Sequence, residues 1–133
     1  MRKFVLAVLL SLVLGYANAQ THRYYCEVKG QEKSLSSGLN IIFDFGTQTS
    51  YRIWGDLSSK LKFVDENGEE IKFNSMVDAG NDMVSRGWVF QQAYSSHYGG
   101  TPVQHWIFYK DADSMEKARE GIMTKGEYKK QKK

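Results

Sequence analysis

Three histidines, His22, His97 and His105, are the side chains through which this 133-residue chain could hold zinc or shuttle a proton. Their spacing matches neither His-x3-His nor His-Glu-x-x-His, the patterns that set two imidazoles around one metal. The single cysteine, Cys26, stands far from His97 and His105 in the chain. His105 falls in a run of aromatics and is expected to be a packed, hydrogen-bonded histidine. His97 lies beside Tyr98 and Gly99-Gly100, and loops carried on a rigid sheet often hold binding residues. It is therefore the better functional candidate. An enzyme built on it would be a small hydrolase or a metal-dependent enzyme pairing His97 with a carboxylate such as Asp44 or Asp56.

Other chemistries find less support. A serine nucleophile in a Gly-x-Ser-x-Gly turn is missing, because neither Ser36-Ser37-Gly38 nor Ser95-Ser96-His97 fits. Gly99-Gly100 is too short to cradle a phosphate, and no lysine follows at the required distance. Asp65, Glu66, Glu69 and Glu70 crowd one turn, where oxygen ligands could attract calcium. They lack the alternating EF-hand pattern, so a solvated acidic tip is the simpler reading. A chain this small leaves little room for a deep cleft. The preferred expectation is a non-enzymatic binding or protein-interaction module with no cofactor. Its candidate binding residues are His97, Tyr98, Trp54 and Tyr25, joined by whichever of Trp88 and Trp106 faces outward.

The start of the chain reads as an address. Met1-Arg2-Lys3 is basic, Phe4 to Leu14 is apolar apart from Ser11, and Ala17-Asn18-Ala19 offers small residues at a cleavage site. Residues 1–19 are expected to be a signal peptide, making the protein periplasmic or secreted. The apolar run, about 11 residues, is short of the roughly 20 that span a bilayer. The partner is then a protein or a cell-envelope ligand. Cys26 has no second cysteine with which to form an intramolecular disulfide, and it alternates with Tyr24 and Val28 as a small inward hydrophobe would.

Charge argues against a nucleic-acid groove. Of 18 basic residues, Arg2 and Lys3 leave with the signal, so the remainder carries 16 against 15 acidic, a net +1. Residues 125–133 hold five lysines and one glutamate, which leaves the folded body at −3. No polycationic surface for specific nucleic-acid binding follows. The basic run at 125–133 is expected to be a disordered, solvated tail.

The elements that must position these residues are mostly strands. Alternation marks a strand at His22 to Lys29, a second from Leu39 to Phe45, and a short one at Tyr51 to Trp54. Leu61-Phe63 and Ile71-Phe73 flank Asn67-Gly68, whose residues tolerate the positive φ of a hairpin turn. Ser75 is an N-cap with Asp78 three residues on. Met76, Ala79, Gly80, Met83, Val84 and Gly87 then form one helical stripe. Its middle is so low in profile that a bulky aromatic is expected to pack there. Gly87 suits the left-handed helix end. Trp88, Phe90, Gln92 and Tyr94 share one face of the next strand, Ser95 to Pro102 reads as an eight-residue loop, and Val103 to Tyr109 returns antiparallel. Asp113 with Glu116 opens a short final helix.

The helix ending in Gly87-Trp88, the strand through Val89-Phe90, the loop, and the closing strand ending at Tyr109-Lys110 resemble a small bacterial domain family of unknown function, number 4177. The similarity covers Met76 to Lys110, with His22 to Val28 as the leading strand. This chain has Val89 where the family has glutamate, and extra strands between Gly30 and Phe73. The resemblance implies an α+β sandwich and no established activity. The expectation is one α+β domain over residues 20–124. It would hold an antiparallel sheet of about five to seven strands, one main helix on one face, and a short C-terminal helix.

Overall fold

The computed structural model describes residues 20–33, 38–47 and 59–133. The expected signal segment, the strand at Tyr51 to Trp54, Trp54 itself and Asp56 lie outside the described residues. Within them the protein is α+β. Strands β1 (His22–Glu32), β2 (Leu39–Asp44), β3 (Val89–Tyr98) and β4 (Thr101–Ala112) form one antiparallel sheet in the order β2-β1-β4-β3. The helices are α1 (Met76–Ser85), α2 (Met115–Ala118) and α3 (Lys125–Gln131).

Strand β1 is central because its alternation gives it two different faces. Cys26 and Val28 point toward α1 and are buried with Phe43 of β2 and Phe108 of β4. Met76, Ala79 and Met83 of α1 close over them in one core cluster with Trp88 and Phe63. Close approach depends on two glycines. A side chain on Gly30 would collide with the sulfur of Met76, and one on Gly80 would meet the Trp106 ring at 3.0 Å. The low middle of the helical stripe thus receives an indole. Phe43 and Phe63 stack with ring centroids 3.6 Å apart.

Helix α1 starts and stops on local signals. The Ser75 hydroxyl accepts from Asp78 N at 3.1 Å, while Asp78 turns back to accept from Asn74 N. Gly87 adopts φ 84° just beyond the end, and the Lys110 ammonium donates to the Arg86 carbonyl at 2.8 Å. That satisfies one of the carbonyls a helix leaves open at its C-terminus.

The expectation of five to seven strands and one main helix is corrected: the described residues hold four strands and three short helices. Leu61 to Phe73 does not make a strand hairpin. It carries only two isolated bridges, Val64 with Glu70 and Phe63 with Thr124. The Asp65 carboxylate accepts from the Asn67 and Glu69 amides, tying the acidic tip into a local turn that competes with a ladder. The partner of Phe63 comes from the far end of the chain.

The basic end is likewise not a free tail throughout. Residues Lys125–Gln131 form α3, opened by a capping box between Thr124 and Glu127. Arg119 grips Glu127 at 2.6 Å, and Tyr128 donates to the Asn67 carbonyl at 2.9 Å. Lys129 and Lys130 are exposed on this short capped helix, which is why the run reads as solvated in the sequence.

Strands β3 and β4 run further than expected. Ser95 to Pro102 is not an eight-residue loop. The strands continue to a two-residue turn, Gly99-Gly100, both at positive φ as a tight hairpin requires. A register shift between Phe90 and Gln92 breaks the simple alternation. Phe90 pairs with Phe108 on the α1 side, whereas Gln92 and Tyr94 pair with Ile107 and His105 on the far face. The bulge thereby turns the outer half of β3 over.

Candidate functional site

The bulge sets Tyr94, Ser96 and Tyr98 on the sheet face opposite α1, beside His105 of β4 and Glu27, Lys29 and Asp44 of the two strands beyond. These residues form a continuous polar network. Ser96 Oγ lies 2.7 Å from His105 Nε2, and His105 Nδ1 lies 2.8 Å from Glu27 Oε1. The other oxygen of Glu27 meets Lys29 Nζ at 2.9 Å, and Lys29 reaches Asp44 at 3.4 Å. Tyr94 donates to Glu27 at 2.8 Å while its ring stacks on the His105 imidazole, centroids 4.4 Å apart and 3° from parallel.

The directions of these bonds follow from charge. Burial pushes the Glu27 carboxyl up, but hydrogen bonds from Lys29, Tyr94 and His105 outweigh it and hold the group below the usual carboxylate value. Ionised Glu27 only accepts, so His105 presents its Nδ1 proton to it. In the neutral imidazole Nε2 is then an acceptor, and the Ser96 hydroxyl donates to it. Burial pulls Lys29 down, yet its contacts with Glu27 and Asp44 leave it raised. The Tyr94 phenol is raised by its bond to Glu27. The arrangement can withdraw a proton from Ser96 onto an imidazole whose charged form faces a carboxylate.

Around the network the face grades from buried to open. Ile42, Val103, Lys29 and His105 are buried, Ser96 is half-buried, and Tyr25, Tyr94 and Tyr98 are exposed at 50%, 47% and 56%. Beyond Tyr25, Arg23 lies over the Tyr109 ring at 4.0 Å and pairs with Asp111 at 2.8 Å.

Strand β3 is also an edge. Val89–Tyr98 contains no charged residue, and all of its ten residues except the half-buried Ser96 are exposed. Tyr98 and Thr101 flank the two-residue turn, where the closing pair exchanges both backbone bonds. Alternation then turns the N–H groups of His97, Ser95 and Ala93 away from β4, toward the outside of the sheet.

The sequence-expected residues do not gather into one site. Tyr25 and Tyr98 share the far face at opposite ends. His97 pairs with Pro102 and points to the α1 side, away from His105, with no side-chain hydrogen bond or ion pair among the described residues. Asp44 joins the network through Lys29 rather than through His97. Trp88 is a buried core anchor, and Trp106 is half-buried under Gly80 and Phe90. Sequence reasoning set Ser96 aside because no Gly-x-Ser-x-Gly turn surrounds it, and passed over Glu27 and Lys29. The only local signal was the alternation placing Glu27 and Lys29 on one face of β1.

Cys26 is free and buried, its thiol pushed well up by burial. Among the described residues no group of three or more His, Cys, Asp or Glu is placed to hold a metal ion, and no helix is long and apolar enough to cross a membrane. An open cleft of about 720 Å³ lined by Val64, Asp65, Ile71, Arg86 and Tyr128 lies at the α3 end and includes no member of the network. Comparisons with protein-family models, curated proteins and solved structures found no match.

Proposed function

We propose that this protein is an exported protein-interaction module, periplasmic or secreted, that binds an extended polypeptide segment along the outer edge of β3. The observation that carries the reading is that edge: ten uncharged residues, exposed apart from Ser96. Exposed edges are ordinarily blunted by charge, proline or short length, because their free N–H and C=O groups template another strand. Here the bulge after Phe90 is the only such device on β3, and the stretch from Gln92 to Tyr98 runs on unprotected. Tyr94 and Tyr98 project from it on one face and offer side-chain contacts to whatever backbone adds there. Export rests on the basic-apolar-small pattern of residues 1–19.

The partner fitted to such an edge is an uncharged segment of alternating side chains, and the chain's own Val89–Tyr98 sequence is one. Amide hydrogen exchange of the protein with and without a synthetic Val89–Tyr98 peptide tests the reading. Protection of Ala93, Ser95 and His97, abolished by Ala93→Pro, is expected. Proline there removes an outward N–H and leaves the ladder with β4 intact. Unchanged exchange of those amides, with added peptide and at raised protein concentration, sinks it.

A further inference from the structure

We propose that Ser96 is an acyl-accepting nucleophile, and that the far face hydrolyses carboxylic esters with a small acyl group and a ring-bearing alcohol. The interaction reading does not require this activity: that reading rests on the backbone edge of β3, and this one on the side chains of Ser96, His105 and Glu27. Ser96 Oγ, His105 and Glu27 stand in a serine-imidazole-carboxylate order, at 2.7 Å and 2.8 Å. Glu27 holds the tautomer that leaves Nε2 free to accept the serine proton, which is the relation an activated hydroxyl needs. Tyr94 lies flat on the imidazole and fixes its plane. The carboxylate is itself held by Lys29, so its orientation does not depend on His105 alone.

The steps balance without a cofactor. Ser96 Oγ attacks the ester carbonyl carbon while its proton moves to His105 Nε2. The carbon–oxygen bond to the alcohol breaks, and the alcohol leaves with that proton. Water then attacks the acyl-serine, giving a proton to Nε2, and the released serine oxygen takes it back. The net reaction is ester plus water to acid plus alcohol. The oxyanion needs a donor, and the outward N–H of His97, the residue after the nucleophile, is unpaired among the described residues. Neighbours two positions away on the same strand face, Tyr94 and Tyr98, offer exposed rings on either side of Ser96 for the alcohol's ring to stack on. Ser96 is half-buried beside the buried Val103, a setting that suits a small acyl group rather than a long chain.

The experiment uses the full chain without residues 1–19, a fluorophosphonate probe and p-nitrophenyl acetate. One probe per chain is expected on the Ser96 peptide by mass spectrometry, with none on Ser96→Ala. Nitrophenol release should exceed that of Ser96→Ala by tenfold or more. His105→Gln should slow labelling about 10²-fold, the usual worth of a positioned base. His22→Gln, an exposed histidine outside the network, should leave both readings unchanged, which separates Ser96 from background hydrolysis by an exposed imidazole. No label on the parent protein, label elsewhere than Ser96, or equal ester hydrolysis by parent and Ser96→Ala overturns the proposal, and the parent measurement decides even if a variant misfolds. Ala93→Pro should abolish strand addition yet leave labelling in place, so the two readings can fail separately.

Discussion

Replacing Lys29 by methionine should unbalance the far face in a way that depends on pH. The lysine side chain is 9% exposed and sits between two carboxylates, 2.9 Å from Glu27 and 3.4 Å from Asp44. At an effective dielectric of about 20 each contact is worth roughly 5 kcal/mol of Coulomb energy, most of it offset by desolvation. Removing one partner of a buried pair costs about 3–5 kcal/mol because the other charge stays behind. Glu27 and Asp44 keep 22% of their side-chain surface in water, which moves the expectation to about 2–3 kcal/mol at pH 7. For a domain of this size that is a fall in melting temperature of roughly 10 °C or more.

The sign of the pH dependence follows from Glu27, whose folded carboxyl is held below its unfolded value. Its contribution is fully present above the unfolded carboxyl pKa, about 4.3, and is lost as pH falls through the folded one. Lys29 is raised, so its share is present below about 10.4 and is lost only as pH rises through its folded value. Both contribute at pH 7. Urea unfolding of parent and Lys29→Met at pH 7 and pH 3 should show a gap that shrinks in acid. A gap under about 0.5 kcal/mol at pH 7, typical of an exposed pair, or one of equal size at both pH values, refutes the argument.

Two further expectations concern packing. Gly68→Ala should loosen α3, because Gly68 sits at φ 81° and an added methyl group would collide with the Tyr128 ring; a loss of about 1–3 kcal/mol with faster exchange of the Tyr128 amide is expected, and unchanged exchange counts against the docking of α3. Trp88 is 1% exposed and its indole nitrogen lacks a hydrogen-bond partner among the described residues; Trp88→Phe should therefore cost clearly less than Trp88→Ala, for which about 3–5 kcal/mol is expected, and equal losses in thermal denaturation contradict the account.

Local periodicity made part of this fold legible. Met76, Ala79, Gly80 and Met83 formed a stripe in the sequence and are the buried residues of α1. Tyr24, Cys26 and Val28 alternated, and Cys26 and Val28 are in the core. Ser75 and Gly87 act where their side-chain chemistry and φ freedom suggested. What escaped was set by distant partners. Phe63 bridges Thr124, and Lys125 N donates to the Lys62 carbonyl at 2.9 Å, pairings that no window of sequence contains. Ser95 and Ser96 read as loop residues because serine is a weak strand former, yet a glycine pair and a neighbour strand of good formers carried the ladder to its tip. The polar network was invisible for the same reason. Glu27, Asp44, Ser96 and His105 come from four strands, and the bulge that brings Ser96 to His105 leaves no mark on the alternation except the extra glutamine.

The sheet order also fixes when this chain can fold. Strand β1 lies between β2 and β4, and its longer ladder is with β4, where Cys26 meets Phe108. While β4 is still to emerge, β1 has only β2 beside it, and a lone two-stranded hairpin is marginal in water. The helix that covers Cys26 and Val28 also precedes β4 and would have half a sheet to rest on. Non-local pairing of this kind makes folding slow compared with helix or hairpin formation. A chain exported as we propose would thus remain extended for most of its synthesis, in the form a translocation channel can thread. Its collapse would follow the arrival of Thr101–Ala112 on the far side.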